Sequence, residues 1–256
     1  MHILRRIRGK YQRFVAGNLS RRVFTIRGSA PIISFTFDDF PRSALSAGGA
    51  ILRSKAASGT YYVSLGLAGK QIETGTMFVM EDLCEALAQG HELGCHTYSH
   101  SHSWNTAPDL FESDIVKNGE ALQHLIPGAS FRTLSYPIGQ PRAGTKRKAS
   151  KHFSCCRGGG QTFNIGETDL NCLSAYFLEQ SRDNREAIKR IIDQNSEAGG
   201  WLIFATHDVC ESPTHWGCTP DLFEDIVQYA VGSGAEILPV SKAYEALQRQ
   251  AQPGEI

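Results

Sequence analysis

The sequence predicts an α/β fold, a largely parallel sheet with helices packed outside it. Three observations carry this expectation. Short apolar, β-branched runs recur from about residue 31 to the end of the chain, helical patterns lie between them, and several runs stop abruptly at polar residues. Repeated strand–helix units imply parallel strands joined by crossover helices. At 256 residues, 41% hydrophobic and 20% charged, the chain suits one domain with a sizeable core. No repeat, low-complexity tract or Pro/Gly/Ser linker divides it. This pattern alone leaves both an open doubly wound sheet and a barrel open.

Residues 1–30 read as a basic N-terminal arm, and residues 31–250 as the single domain. The first 22 residues are rich in Lys and Arg and hold no Asp or Glu, which suits a mobile segment. Weak contact with an acidic membrane surface is a second use for it. The arm has no continuous apolar run of the secretory type. No later run reaches the ~18 apolar residues of a membrane span. Strands are expected at 31–37, 61–65, 92–96, 131–136, 152–156, 201–206 and 235–240, with 172–176 as an eighth. Phe111, Ile115, Gly119, Leu122 and Ile126 share one helical face, and Thr106 with Asp109 makes an approximate capping box. Ala187, Ile188, Ile191 and Ile192 mark a helix that stops at Gly199-Gly200. Thr219-Pro220 reads as a cap and first helical residue, with Leu222, Phe223, Ile226, Val227 and Ala230 buried. Ser241 opens a last helix.

Lys+Arg and Asp+Glu both number 26, so nothing in the overall charge favours nucleic acid. The seven cysteines are odd in number and scattered, with no CxxC pair. They suit a reducing compartment, hence a cytoplasmic protein, peripheral at the membrane if the arm binds there.

The chemistry gathers at strand ends, where parallel α/β folds place their sites. Asp38 and Asp39 close the first strand. Adjacent carboxylates repel unless a cation neutralises one, which leaves the other free as a base; a solvated Asp-Asp turn is the bland alternative. His96 and His100 follow the third strand. If they stand on a helical turn, four-residue spacing puts both imidazoles on one side, suited to zinc. With Asp39 they make three ligands and leave a position for water. His91 and His102 flank the pair as surface or supporting residues. The 131–136 strand runs into Pro137-Ile138-Gly139, a turn that can aim a backbone N–H. The 201–206 strand ends in His207-Asp208, and His207 there is a candidate general acid.

Four segments in this order, Thr36 to Asp39, His96 to His100, Ser135 to Gly139 and Phe204 to Asp208, resemble the polysaccharide deacetylase family. This is carbohydrate esterase family 4, also called the NodB homology domain. The likeness spans residues 32 to 207 at least, and extends to about 247. It implies a distorted (β/α) barrel with about seven parallel strands. It also implies metal-dependent removal of an N-acetyl group from an amino sugar of a glycan. Asp38 would match the base, His207 the acid, and Asp39, His96 and His100 the metal ligands. The Ile138 N–H would hold the oxyanion, and Tyr136, Pro137 and Phe204 would contact substrate. One divalent ion is implied; zinc suits the ligands, and cobalt or nickel fits similar ones.

The chain departs from the family pattern in places. An Arg often precedes the Pro-containing turn and pairs with the base; here Ser135-Tyr136 stands there, and Arg157 is the candidate replacement. Phe40 replaces a frequent Gly, and Ala205 a frequent Leu. The family's Asp/Trp motif has only Trp216 as a candidate. A deformylase, an O-acetyl esterase and a catalytically silent glycan-binding domain are the competing readings. Phosphoryl transfer is disfavoured, because Arg157-Gly158-Gly159-Gly160 lacks a following GK[ST].

Overall fold

The structure is a computed structural model and describes residues 2–28 and 30–251. A helix, α1 (His2–Asn18), leads to β1 (Val23–Ile26) and β2 (Ile32–Phe37). A π-helical turn, Ala44–Gly49, runs into α2 (Ala50–Ser54), then β3 (Thr60–Val63). A small hairpin of β4 (Gln71–Ile72) and β5 (Gly75–Thr76) precedes α3 (Met80–Ala88) and β6 (Glu92–Cys95). Then come α4 (Pro108–Leu125), β7 (Thr133–Ser135), α5 (Ala143–Ala149), β8 (Cys155–Arg157), β9 (Gly166–Asp169) and β10 (Tyr176–Phe177). The chain finishes with α6 (Arg185–Ala198), β11 (Trp201–Thr206), α7 (Pro220–Gly232), β12 (Glu236–Ile237) and α8 (Val240–Ala251).

The main sheet runs β10-β11-β2-β3-β6-β7-β8, every pair parallel, with β12 also joined to the start of β2. It curls into a distorted barrel. Residues 170–175 tie its two edges: Leu173 exchanges backbone hydrogen bonds with Cys156 and Gly158 of the β8 side before the chain enters β10. β2 and β11 are buried at every position, as strands covered on both faces must be. Phe35 stacks on Phe204 and Phe37 on Tyr61, which fills the region between the central strands and the outer helices.

Several expectations shift by a few residues. The β8 strand is 155–157 rather than 152–156, because His152 and Phe153 close the turn after α5 by bonding to the Ala149 carbonyl. The Thr106–Asp109 box does not form. Pro108 starts α4 with its preset φ, and Ala107 is the cap residue. α7 has the predicted Thr219 cap, whose Oγ1 accepts from Leu222 N–H at 3.3 Å, and α6 ends on Gly199 at φ 62°.

The basic stretch expected as an arm is helical, and its C-terminal end is held to the body. Lys146 of α5 is wholly buried; its Nζ donates to the Ala16 carbonyl at 2.6 Å and pairs with Asp169 at 2.5 Å. Asp169 also accepts from Arg22 N–H at 2.9 Å, beside the β1–β9 pairing. No helix of the described residues is long and apolar enough to cross a membrane.

Candidate functional site

The parallel register brings the C-terminal ends of β2, β6, β7, β8 and β11 to one rim, and the polar residues that follow these strands surround one cleft. Asp38 is fixed as the first residue beyond β2, where its N–H donates to the Thr206 carbonyl at 2.9 Å. The next two residues, Asp39 and Phe40, adopt left-handed backbone at φ 61° and 56°. Thr97, His100 and Ile138 do the same at 58°, 54° and 62°. Non-glycine residues avoid this region, and it is retained where surrounding structure over-determines it, often at functional sites. The His-bearing segment is thus an irregular turn, not the helical one that its spacing suggested. Asp114 of α4 pins it by accepting from Ser99 N–H, Ser99 Oγ and Ser101 Oγ at 2.8 to 3.0 Å.

Asp39, His96 and His100 converge, with one ligand atom from each within 4.8 Å of the others. Asp39 Oδ1 lies 3.6 Å from His96 Nε2 and 3.3 Å from His100 Nε2. Its other oxygen accepts from Thr74 Oγ1, in the β4–β5 turn, at 3.0 Å. His96 Nδ1 is 2.7 Å from the Ser135 carbonyl, which fixes the ring N–H there and turns the Nε2 lone pair towards Asp39. Burial lowers the His96 pKa to about 4, against the pull of Asp38 and Asp39, so the ring is neutral at pH 7. A carboxylate oxygen and an imidazole lone pair then face each other with no proton between them. Asp39 Oδ1 is buried and lacks a hydrogen-bond partner among the described residues. A cation between these atoms resolves that arrangement, and two nitrogens with one carboxylate oxygen suit an open divalent site.

Asp38 is buried beside this cluster and touches Arg157 Nη2. Arg157, the last residue of β8, also donates to Ser135 Oγ at 2.7 Å and lies between the Tyr62 and Phe177 rings. Burial alone would raise the Asp38 pKa; the Arg157 guanidinium, with His96 and His207, outweighs it and holds the carboxyl well below the usual range. Arg157, the candidate replacement for an arginine before the Pro-containing turn, thus reaches Asp38 from the neighbouring strand. It passes Ser135, the small residue that ends β7.

His207 is half-buried across the cleft, its Nδ1 3.2 Å from the Trp216 carbonyl. That contact orients the ring and leaves Nε2 as its open atom. Asp208 is buried and faces away, accepting from Thr214 N–H and Oγ1 at 2.8 and 2.6 Å, which folds the 208–218 loop. Ile138 is 65% exposed at the cleft's edge.

The cleft has a volume of about 810 Å³ and includes Asp38, Asp39, His96, His100, Ile138 and His207 in its lining. Three residues expected at the substrate lie behind it. Phe204 is packed in the core against Phe35 and Tyr176, away from the cleft's lining. Tyr136 is buried against Phe111, and Pro137 is buried as well. Ala205 is likewise buried, in a separate core cluster. Trp216 does line the cleft, beside residues that pattern reading passed over: Thr74, Gln161, Phe177, Glu179 and Arg13. Burial raises the Glu179 carboxyl to about 7, and its Oε2 has no hydrogen-bond partner among the described residues. These residues sit on short loops without a motif; only the strand end at 177 marks Glu179 in the sequence. His91 lies at the opposite end of the sheet, accepting from Gly59 N–H at 3.0 Å.

The family profile described as polysaccharide deacetylase matches residues 26–153. No curated protein sequence is similar enough to match. Among solved structures, peptidoglycan deacetylase PdaC from Bacillus subtilis is 16% identical, with 87% of this chain and 94% of that chain covered and a TM-score of 0.57. The Xyl-CE4 domain of a multidomain xylanase from the hindgut metagenome of Trinervitermes trinervoides is 14% identical over 88% and 94%, with a TM-score of 0.60. A CE4 family pseudoenzyme from Bacillus anthracis is 11% identical over 85% and 66%, with a TM-score of 0.58. These likenesses bear on the fold.

Proposed function

Because the chain belongs to the polysaccharide deacetylase family, we propose that it is a metal-dependent hydrolase removing an N-acetyl group from an amino sugar of a poly- or oligosaccharide or its precursor. The observation that carries this is the convergence of Asp39 Oδ1 with two imidazole nitrogens, next to a separately ionised Asp38. The family alone does not suffice, since a CE4 pseudoenzyme is among the similar structures; the acidic and imidazole groups that the proposed reaction would use are gathered here in one cleft.

A divalent ion held by Asp39, His96 and His100, zinc by the donor set, would act as the Lewis acid for the acyl carbonyl and the attacking water. Asp38 takes the proton of that water as the oxygen–carbon bond forms. Arg157 keeps Asp38 ionised and aimed. The Ile138 N–H donates to the oxyanion, a contribution of about 3–4 kcal/mol for one well-placed donor. His207 Nε2 then gives a proton to the amine nitrogen as the carbon–nitrogen bond breaks, and acetate and a free amine leave. A formyl or O-acetyl group would be cleaved by the same residues. The cysteines are all free, which suits a cytoplasmic place, and the partner is the glycan itself, with no nucleic acid.

The test is acetate release from N-acetylated oligosaccharides by zinc-loaded protein. Activity in the wild type that disappears in Asp38→Asn, with metal retained, supports the proposal. Silence across the panel with metal bound, and formate or ester-derived acetate released instead, moves the assignment to those acyl groups. Silence on all three classes leaves a glycan-binding domain.

A further inference from the structure

We propose that α1 is an interfacial anchor that docks the protein on an anionic lipid surface. Ile7, Tyr11 and Phe14 are 58%, 60% and 60% exposed. Their i, i+4, i+7 spacing gathers them into one narrow stripe, since successive residues advance about 100° around a helix. Arg6 and Lys10 flank the stripe on one side and Arg8 on the other, all exposed. Among the described residues none of these three, nor Arg13, forms an ion pair, whereas Arg21 and Arg22, just after the helix, are bonded to the body. The helix carries no acidic residue. The chain is neutral as a whole, so this positive charge is a local patch.

An exposed apolar stripe with cationic flanks matches a bilayer boundary, where rings and aliphatic chains enter the acyl region and cations meet lipid phosphates. A helix of 17 residues spans about 25 Å, room to lie in the interface rather than cross it. A mobile tail would present these groups in no fixed order. Here Val15 and Ala16 are buried, and the buried Lys146–Asp169 pair grips the Ala16 carbonyl, so the helix is held to the body while Ile7, Tyr11 and Phe14 stay largely exposed. The helix also borders the cleft. Tyr11 meets the Trp104 ring at 5.9 Å, the Trp104 indole N–H donates to the Gln140 carbonyl at 2.8 Å, and Arg13 lines the cleft itself. Docking would therefore set the cleft mouth beside the lipid headgroups.

The experiment is flotation of the full chain with vesicles of phosphatidylcholine, alone or mixed with phosphatidylglycerol. Binding should require the anionic lipid and weaken as salt rises. Ile7→Glu/Phe14→Glu and Arg6→Glu/Lys10→Glu should each weaken it by at least about tenfold, with thermal unfolding unchanged. No flotation of the wild type with anionic vesicles would overturn the proposal. So would binding that both double variants retain. A concentration-dependent dimer in sedimentation, abolished by Ile7→Glu/Phe14→Glu while vesicle binding is absent, would assign the stripe to a second copy of the chain instead.

Discussion

Phe40 holds left-handed backbone at φ 56° while its ring is wholly buried between Tyr61 and Phe78, with centroids 4.5 and 5.3 Å away. The backbone conformation costs about 1–2 kcal/mol, and removing a buried ring costs about 3–5. Phe40→Gly should therefore lower stability by about 2–3 kcal/mol, read from the denaturant midpoint at constant m-value; a gain would mean that backbone strain outweighs ring burial. Asp38→Asn should keep stoichiometric zinc and lose about 10²–10⁴-fold in turnover. Glu179 gives a pH signature. Its folded pKa of about 7 stands above the ordinary 4.5, so the folded chain holds a proton that the unfolded chain releases. The stability contributed is full below about pH 4.5 and is lost as pH rises through 7. Glu179→Gln should thus remove a downward slope in melting temperature between pH 5 and 8. At this scale the sequence was informative where residue types combine, as in Asp38, Asp39, His96 and His100. It was silent on Thr74 and Glu179, whose importance arises from loop geometry that no local pattern encodes. It overvalued Phe204, because a strand residue's face follows from register and not from proximity to a motif.

Among the elements, α7 and α6 were readable to within a residue or two, since a Thr-Pro start and a Gly-Gly stop are local and strong. α1, α3 and α5 were not read as helices; α5 is seven residues long and mostly basic or small, and α1 depends on a contact made across 130 residues. Lys146→Met should expose this dependence. It leaves Asp169 buried without its cation, for a loss of about 3–5 kcal/mol. It should also open tryptic cleavage at Lys10 and Arg13 before the barrel is cut; equal protection in variant and wild type would show that the β1–β9 pairing alone holds the helix. Thr219→Ala removes one helix cap and should cost about 1 kcal/mol, seen as a small shift in melting temperature.

Taken whole, the molecule is a barrel whose rim collects groups from five parallel strands. The strand–helix alternation made the parallel sheet legible, and the order of four strand-end segments supplied the barrel; the closing segment was expected as a strand at 172–176, but it pairs with β8 by an isolated bridge at Leu173 and the regular strand, β10, begins only at Tyr176. Metal should couple the rim to global stability. With zinc at about 100 times its dissociation constant, linkage adds about 2.7 kcal/mol. For a chain of this size that is about 5–10 °C in melting temperature, which a chelator should reverse and His96→Ala should abolish. The Asp38–Arg157 pair reaches across 119 positions of sequence. It therefore has a place in the life of each molecule during synthesis. A growing chain has made all three candidate metal ligands by position 100, but the proposed base has no cation until 157 and the cleft lacks the proposed acid until 207. On the proposed function, a truncated product released by premature termination before those positions would carry the ligands without the chemistry, and competence would arrive late and all at once, when the last edge of the barrel closes.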